Sequence, residues 1–146
     1  MTQSFVADAS VAIAWIHPAQ STRETEAMLD GLGGGDSLVV PALWPLEVAN
    51  ALTVLRRRRK LTREEVRSAI EIIRELPVII DHEAAALAFT RLVGLASELE
   101  VTVYDASYIE LATRRRLPLA SNDARMKQAA IRSGVALWQF DQRRTL

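Results

Sequence analysis

The sequence predicts an α/β protein: a three-layer α/β/α sandwich around a mostly parallel central sheet, with a helical hairpin appended. Short apolar runs of three to five residues alternate with helix-compatible stretches along the chain. That alternation marks parallel strands buried on both faces and joined by crossover helices. Residues 41–76 interrupt it with two consecutive helical patterns, the expected hairpin. Nothing in the 146 residues reads as a linker, and the length suits one core, so residues 1–146 read as a single domain.

Element by element, Phe5-Val6-Ala7 is a short buried strand, followed by helix-compatible residues to Trp15 and a break at His17-Pro18. Ser21 and Glu24 have the spacing of a capping box for a helix running to about Leu32. The glycines from Gly31 to Gly35 stop that helix and lead into a second strand, Ser37 to Val40. Pro41 and Pro45 punctuate the entry to a helix that reaches the run Arg56 to Lys60. Thr62 and Glu65 repeat the capping-box spacing for a helix to about Leu76, closed by Pro77. Val78-Ile79-Ile80 reads as a third strand and Glu83 to Glu98 as a helix. Val101 to Tyr104 leads into a helix opened by Asp105 and ending near Arg116. A strand from Leu117 to Ser121, a helix from Asp123 to Arg132 and a last strand from Val135 to Trp138 complete the pattern.

Composition narrows the function. With 49% hydrophobic and 25% charged residues the chain has ordinary soluble usage. It has no cysteine, which excludes disulfides and thiolate metal sites. The longest apolar stretches, Val11 to Ile16 and Ala84 to Phe89, fall short of the roughly 20 residues a bilayer helix needs. The N-terminus lacks a basic segment and carries Asp8 inside its apolar run, so no secretory signal is expected and the cytoplasm is the expected location. Eighteen basic and eighteen acidic residues cancel, which argues against a sequence-tolerant nucleic-acid coat protein. Three Trp, two Tyr and three Phe are too few for a dedicated base-stacking platform. Contact with a polyanion must therefore rely on local patches or on bound metal.

Four acids occupy one kind of position. Asp8 follows the first strand, Glu47 sits in the first turn of its helix, Asp105 opens a helix, and Asp123 lies two residues past a strand. Strand C-termini and helix N-termini share one edge of a parallel sheet, where ligands bind in such folds. Each acid taken singly is adequately explained as a helix cap or a first-turn acid that suits the macrodipole. Capping does not require their neighbours: Ser10 two residues after Asp8, Asn50 one turn after Glu47, and Ser121-Asn122 before Asp123. Carboxylates without a Cys or His cluster suit Mg²⁺ or Mn²⁺ rather than zinc. Together they would repel one another unless cations neutralised them. Two such ions about 3.5–4 Å apart can activate water and stabilise the leaving oxygen of a phosphodiester. Ser10, Asn50, Ser121 and Asn122 are then candidates for orienting the carboxylates from behind.

The segments FVADASVAIAW, VVPALWPLEVANAL and VTVYDASYIELATRRRLPLASND, with the closing strand, resemble a PIN domain of the VapC toxin type. The resemblance runs in order along essentially the whole chain, including the helical hairpin after Glu47. It matches Asp8, Glu47, Asp105 and Asp123 to the family's metal-binding and catalytic acids. Ser10 and Ser121 match its small hydroxyl residues beside the first and last acid. What the resemblance implies is an endoribonuclease that uses Mg²⁺ or Mn²⁺ and is held inactive by a VapB-type antitoxin. It also implies a homodimer, with higher toxin–antitoxin assemblies, and structured RNA as substrate.

Other features carry less. Arg56 to Lys60 lies nine to thirteen residues beyond Glu47, roughly 14–20 Å further along a helix at about 1.5 Å per residue, which favours a solvated C-terminal cap. Arg114-Arg115-Arg116 stands in the same relation to Asp105 and is read the same way. Arg125 and Lys127, close behind Asp123, are the better candidates for substrate phosphates. His17 and His82 read as loop residues, and the three tryptophans as packing groups. Tyr108, one turn after Asp105, either reaches the acids or packs. Two competing functions are a binding-only scaffold of the same fold and an aspartate-dependent phosphatase or phospho-receiver domain. The phosphatase pattern needs a second Asp where Ser10 stands, and the only lysine at or after the later strands is Lys127, inside a helix.

Overall fold

The apolar runs form four strands in this computed structural model, which describes residues 2–140. The ends of the expected 1–146 domain, residue 1 and residues 141–146, lie outside the described residues. The strands are β1 (Ser4–Ala7), β2 (Ser37–Pro41), β3 (Val78–Asp81) and β4 (Leu119–Ala120). They pair in parallel in the order β3-β2-β1-β4. Phe5 faces Leu38 and Val6 faces both Val39 and Leu119, and all five side chains are buried. Burial on both sheet faces explains why these strands read as continuous apolar runs rather than alternating ones.

The fifth strand expected at Val135 to Trp138 is reduced to a single parallel bridge, Leu119 to Leu137. Its partner β4 offers only two residues. Before them stands Pro118, which has no N–H to donate, and after them Ser121, whose hydroxyl turns to Asp8.

The first helices are α1 (Ala9–Ile16), α2 (Arg23–Gly33), α3 (Trp44–Arg57) and α4 (Arg63–Glu75). They pack together as one layer, with α3 and α4 as the expected hairpin. The capping box of α2 is Thr22 with Thr25, one residue later than the Ser21–Glu24 reading. Ser21 instead closes a 3-10 turn over Pro18–Gln20, its N–H bonding Pro18 O at 3.2 Å. The Thr62–Glu65 box of α4 forms as expected.

The helix expected over Glu83 to Glu98 comes in three pieces: α5 (Ala84–Leu87), a π-helical turn (Ala88–Leu92) and α6 (Val93–Leu99). Next, α7 (Val103–Arg115) starts two residues before Asp105, because the hydroxyl oxygen of Thr102 accepts the Asp105 N–H at 3.1 Å and caps the helix. It lies across β1 and β2 with α6 behind it, and α8 (Ala124–Arg132) closes over β4. Ala106 to Ala112 of α7 are all buried, so this helix runs through the middle of the domain. Trp44 is buried, while Trp15 and Trp138 pack half-buried against the core, as their apolar neighbours suggested. No helix among the described residues is long and apolar enough to cross a membrane.

Candidate active site

The winding of the sheet reverses between β1 and β4. From β1 the chain steps outward to β2 and β3, then returns to place β4 on the other side of β1. Such a reversal leaves a crevice at the strand C-termini, because the two connections leave in opposite directions. Asp8 ends β1 at that crevice and is almost fully buried.

Two hydroxyls hold the Asp8 carboxylate. Ser121 donates to Oδ2 at 2.5 Å from the end of β4, and Ser10 donates its hydroxyl and its N–H to Oδ1. Each hydroxyl is itself held by the loop after β4: the Asn122 N–H bonds the Ser10 hydroxyl oxygen and the Asp123 N–H bonds that of Ser121, both at 3.0 Å. Asn122 also reaches Ser10 O with its side-chain amide at 3.4 Å. Asp8 caps α1, and Asp123 caps α8 by accepting the Arg125 N–H at 2.9 Å. Capping thus places both carboxylates at helix N-termini on this edge of the sheet, the position the site reading expects.

Glu47 reaches the crevice from the first turn of α3. Its Oε1 accepts the hydroxyl of Tyr108 at 2.5 Å, a bond from α7 across 61 residues. The charges of Asp105 and Asp8 act on Glu47, and those of Asp123 and Asp8 act on Asp105. All four acids thus share one electrostatic neighbourhood. Burial pushes the Asp8 carboxyl up, opposed by its Ser10 and Ser121 hydrogen bonds. Glu47 and Asp105 are likewise pushed up, first by burial and then by their acidic neighbours. Burial raises all three, and for Glu47 and Asp105 the neighbouring carboxylates add to it.

Beside the acids, a cavity of about 430 Å³ opens between the α6–α7 connection and α8. Asp105 and Asp123 form its acidic end, and Thr102, Arg125, Gln128 and Arg132 line the rest with Leu99 to Val101. Arg132 is tied to Leu99 O at 2.8 Å and so joins the two walls.

Several sequence expectations land elsewhere. Asn50 is exposed, and its described hydrogen bond is made by its backbone oxygen, which accepts the Thr53 hydroxyl at 2.8 Å. The buried stripe of α3 is Trp44, Val48 and Leu52, and Asn50 sits on the far side of it; Glu47 is met by Tyr108 instead. Lys127 is half-buried and does not line the cavity, whereas Arg125 does. In the exposed run Arg114 to Arg116, two of the three arginines are ion-paired rather than simply solvated. Arg114 grips Asp81 with two hydrogen bonds of 2.9 and 2.8 Å and bonds Glu110 at 2.7 Å, and Arg115 joins Asp81 at 2.9 Å. Arg56 to Lys60 are exposed, as expected of a solvated helix end.

Among the described residues, no three acidic or imidazole side chains are posed together as a ready metal cage. The donor set nevertheless fits a hard divalent cation. It consists of carboxylates alone, and the hydroxyls that pin Asp8 and Glu47 leave each carboxylate with unused lone pairs. The neighbouring charges of Asp8, Asp105 and Asp123 that act on Glu47 and Asp105 are negative charge that a cation would relieve.

The sequence matches the PIN-domain family over residues 5–132. No curated protein matches it in sequence. Among solved structures, PAE2754 from Pyrobaculum aerophilum is similar with a TM-score of 0.59 and 19% identity, covering 92% of this chain and 98% of that one. A chain of VapBC2 from Rickettsia felis, solved bound to a DNA fragment from its promoter, gives 0.65 and 15%, covering 97% and 100%. A chain of FitAcB from Neisseria gonorrhoeae gives 0.61 and 18%, covering 95% and 97%. At these identities the structural likenesses speak to the fold.

Proposed function

Because the chain belongs to the PIN-domain family, we propose that it is a divalent-cation-dependent endoribonuclease of the VapC toxin type, restrained by a VapB-type antitoxin. PIN domains are generally nucleases. The observation that carries the reading is the hydroxyl clamp on Asp8 at the β1–β4 reversal, with Glu47 and Asp105 within its electrostatic reach.

Asp8, Glu47, Asp105 and Asp123 are the residues proposed to hold Mg²⁺ or Mn²⁺. A bound ion of this kind supplies an activated water at neutral pH and stabilises charge on the phosphodiester. Ser10 and Ser121 orient Asp8, and their hydrogen bonds favour its charged form against the cost of burial. Asn122 and the Asp123 N–H hold those hydroxyls in turn. The RNA strand is proposed to enter the cavity beside Asp105 and Asp123. There Arg125 balances a phosphate charge, while Gln128 and Thr102 offer hydrogen bonds. Lys127 and Asn50 are left out of this machinery. The proposed homodimer finds an apolar surface on the 84–99 run, where Phe89 is 93% exposed.

The test is cleavage of a panel of structured RNAs by the purified protein with Mg²⁺ or Mn²⁺. Wild type should cut, and Asp8→Asn should lose cleavage while keeping its circular dichroism spectrum. Undiminished cutting in EDTA, or by Asp8→Asn, would refute the reading. Antitoxin binding with no cleavage of any RNA would favour the binding-only scaffold.

A further inference from the structure

Glu47, unlike Asp8 and Asp123, is not held by a helix that it caps. Asp8 and Asp123 are fastened by the helices they cap, and the Asp105 N–H is bound by Thr102. Glu47 stands in the first turn of α3 beside Leu46, which is 74% exposed. Its longer side chain has more rotamers than an aspartate, and the charges of Asp105 and Asp8 repel it. Nothing in α3 itself holds its carboxylate toward the crevice among the described hydrogen bonds. The bond that does comes from Tyr108, whose ring is 1% exposed in the core and whose hydroxyl emerges at Glu47 Oε1, 2.5 Å away.

A phenylalanine would fill the same core volume, so packing alone does not account for the hydroxyl. We propose that Tyr108 is a positioning residue that holds the Glu47 carboxylate toward Asp8 and Asp105 for divalent-cation binding. Because Tyr108 and Asp105 share α7 one turn apart, one rigid buried helix carries one acid and anchors a second. This inference rests on the cation-dependent reading above.

Mn²⁺ titration calorimetry on wild type, Tyr108→Phe, Glu47→Ala and the double variant tests it. Tyr108→Phe should weaken Mn²⁺ binding about tenfold or more, in the range for losing a group that orients a ligand. In the Glu47→Ala background the same change should add nothing, because there is no carboxylate left to hold. Urea unfolding of Tyr108→Phe measures the core separately: a wild-type midpoint with weakened Mn²⁺ binding is the expected result, and an affinity loss that merely follows lost stability overturns the proposal. Unchanged affinity in Tyr108→Phe overturns the proposal. So does an equal loss with and without Glu47, which would mark a general loosening of the core. If wild type itself shows no Asp8-dependent Mn²⁺ binding, the nuclease reading fails first and takes this inference with it.

Discussion

Ser121 donates its hydroxyl to Oδ2 of Asp8 across 113 residues of chain, at 2.5 Å and in a buried position. The bond joins the ends of β1 and β4, the two strands on either side of the winding reversal. It also passes the orientation of Asp8 to the loop that carries Asp123, through the Asp123 N–H on the same hydroxyl.

Ser121→Ala should therefore act on stability and activity together. The lost bond leaves a buried carboxylate short of a donor, at a cost of about 1–3 kcal/mol. Metal affinity or cleavage should fall about 10–100-fold, as for other groups that orient a ligand. Urea unfolding and single-turnover cleavage measure the two effects. Stability and cleavage both at wild-type levels would show that the clamp is dispensable.

Asp81 predicts the behaviour in acid. The Arg114 guanidinium, with Arg115 beside it, holds the Asp81 carboxyl well below the usual carboxylate range. A depressed folded-state pKa means the unfolded chain takes up the proton first as the pH drops. Asp81 thus stabilises the fold fully above the ordinary aspartate value of about 3.9, and loses that contribution as the pH falls below it. Arg114→Met should cost about 1–3 kcal/mol at pH 7, less than a fully buried pair because Arg114 is 34% exposed and Arg115 remains. Its stability should also depend less steeply on pH between about 2 and 4 than wild type, within the window set by that shift. Denaturant unfolding across that range decides, and parallel pH curves would contradict the assignment.

Arg125 predicts a salt effect. If it meets one phosphate, Arg125→Ala should weaken RNA binding across sequences and reduce the slope of log affinity against log salt by about one. Anisotropy titrations of a labelled RNA without divalent metal give both numbers. Arg56→Ala, on the exposed end of α3, serves as the comparison and should leave the slope unchanged. Equal slopes for wild type and Arg125→Ala would remove Arg125 from the interface.

The sequence by itself determined most of the elements and the edge at which the acids lie. Apolar runs such as Phe5 to Ala7 and Val78 to Ile80 became parallel strands, and Thr62 with Glu65 opened α4, because burial and capping are local consequences of residue type. Asp8 and Asp123 were legible for the same reason, each standing at a strand end or helix start. Ser10 and Ser121 stood out through their spacing from those acids, and both hydrogen-bond Asp8 in the structure.

Tertiary structure decided the partnerships between elements. Asn50 is one turn from Glu47 in sequence, yet the buried stripe of α3 turns it to solvent and Tyr108 from α7 meets Glu47 instead. Arg114 and Arg115 looked like a solvated helix end until β3 brought Asp81 against them. The last strand lost its ladder because β4 is only two residues long. The physical reason is the same in each case. Helix periodicity and capping are set within a few residues, whereas a hydrogen bond spanning 33, 61 or 113 residues depends on how the layers stack.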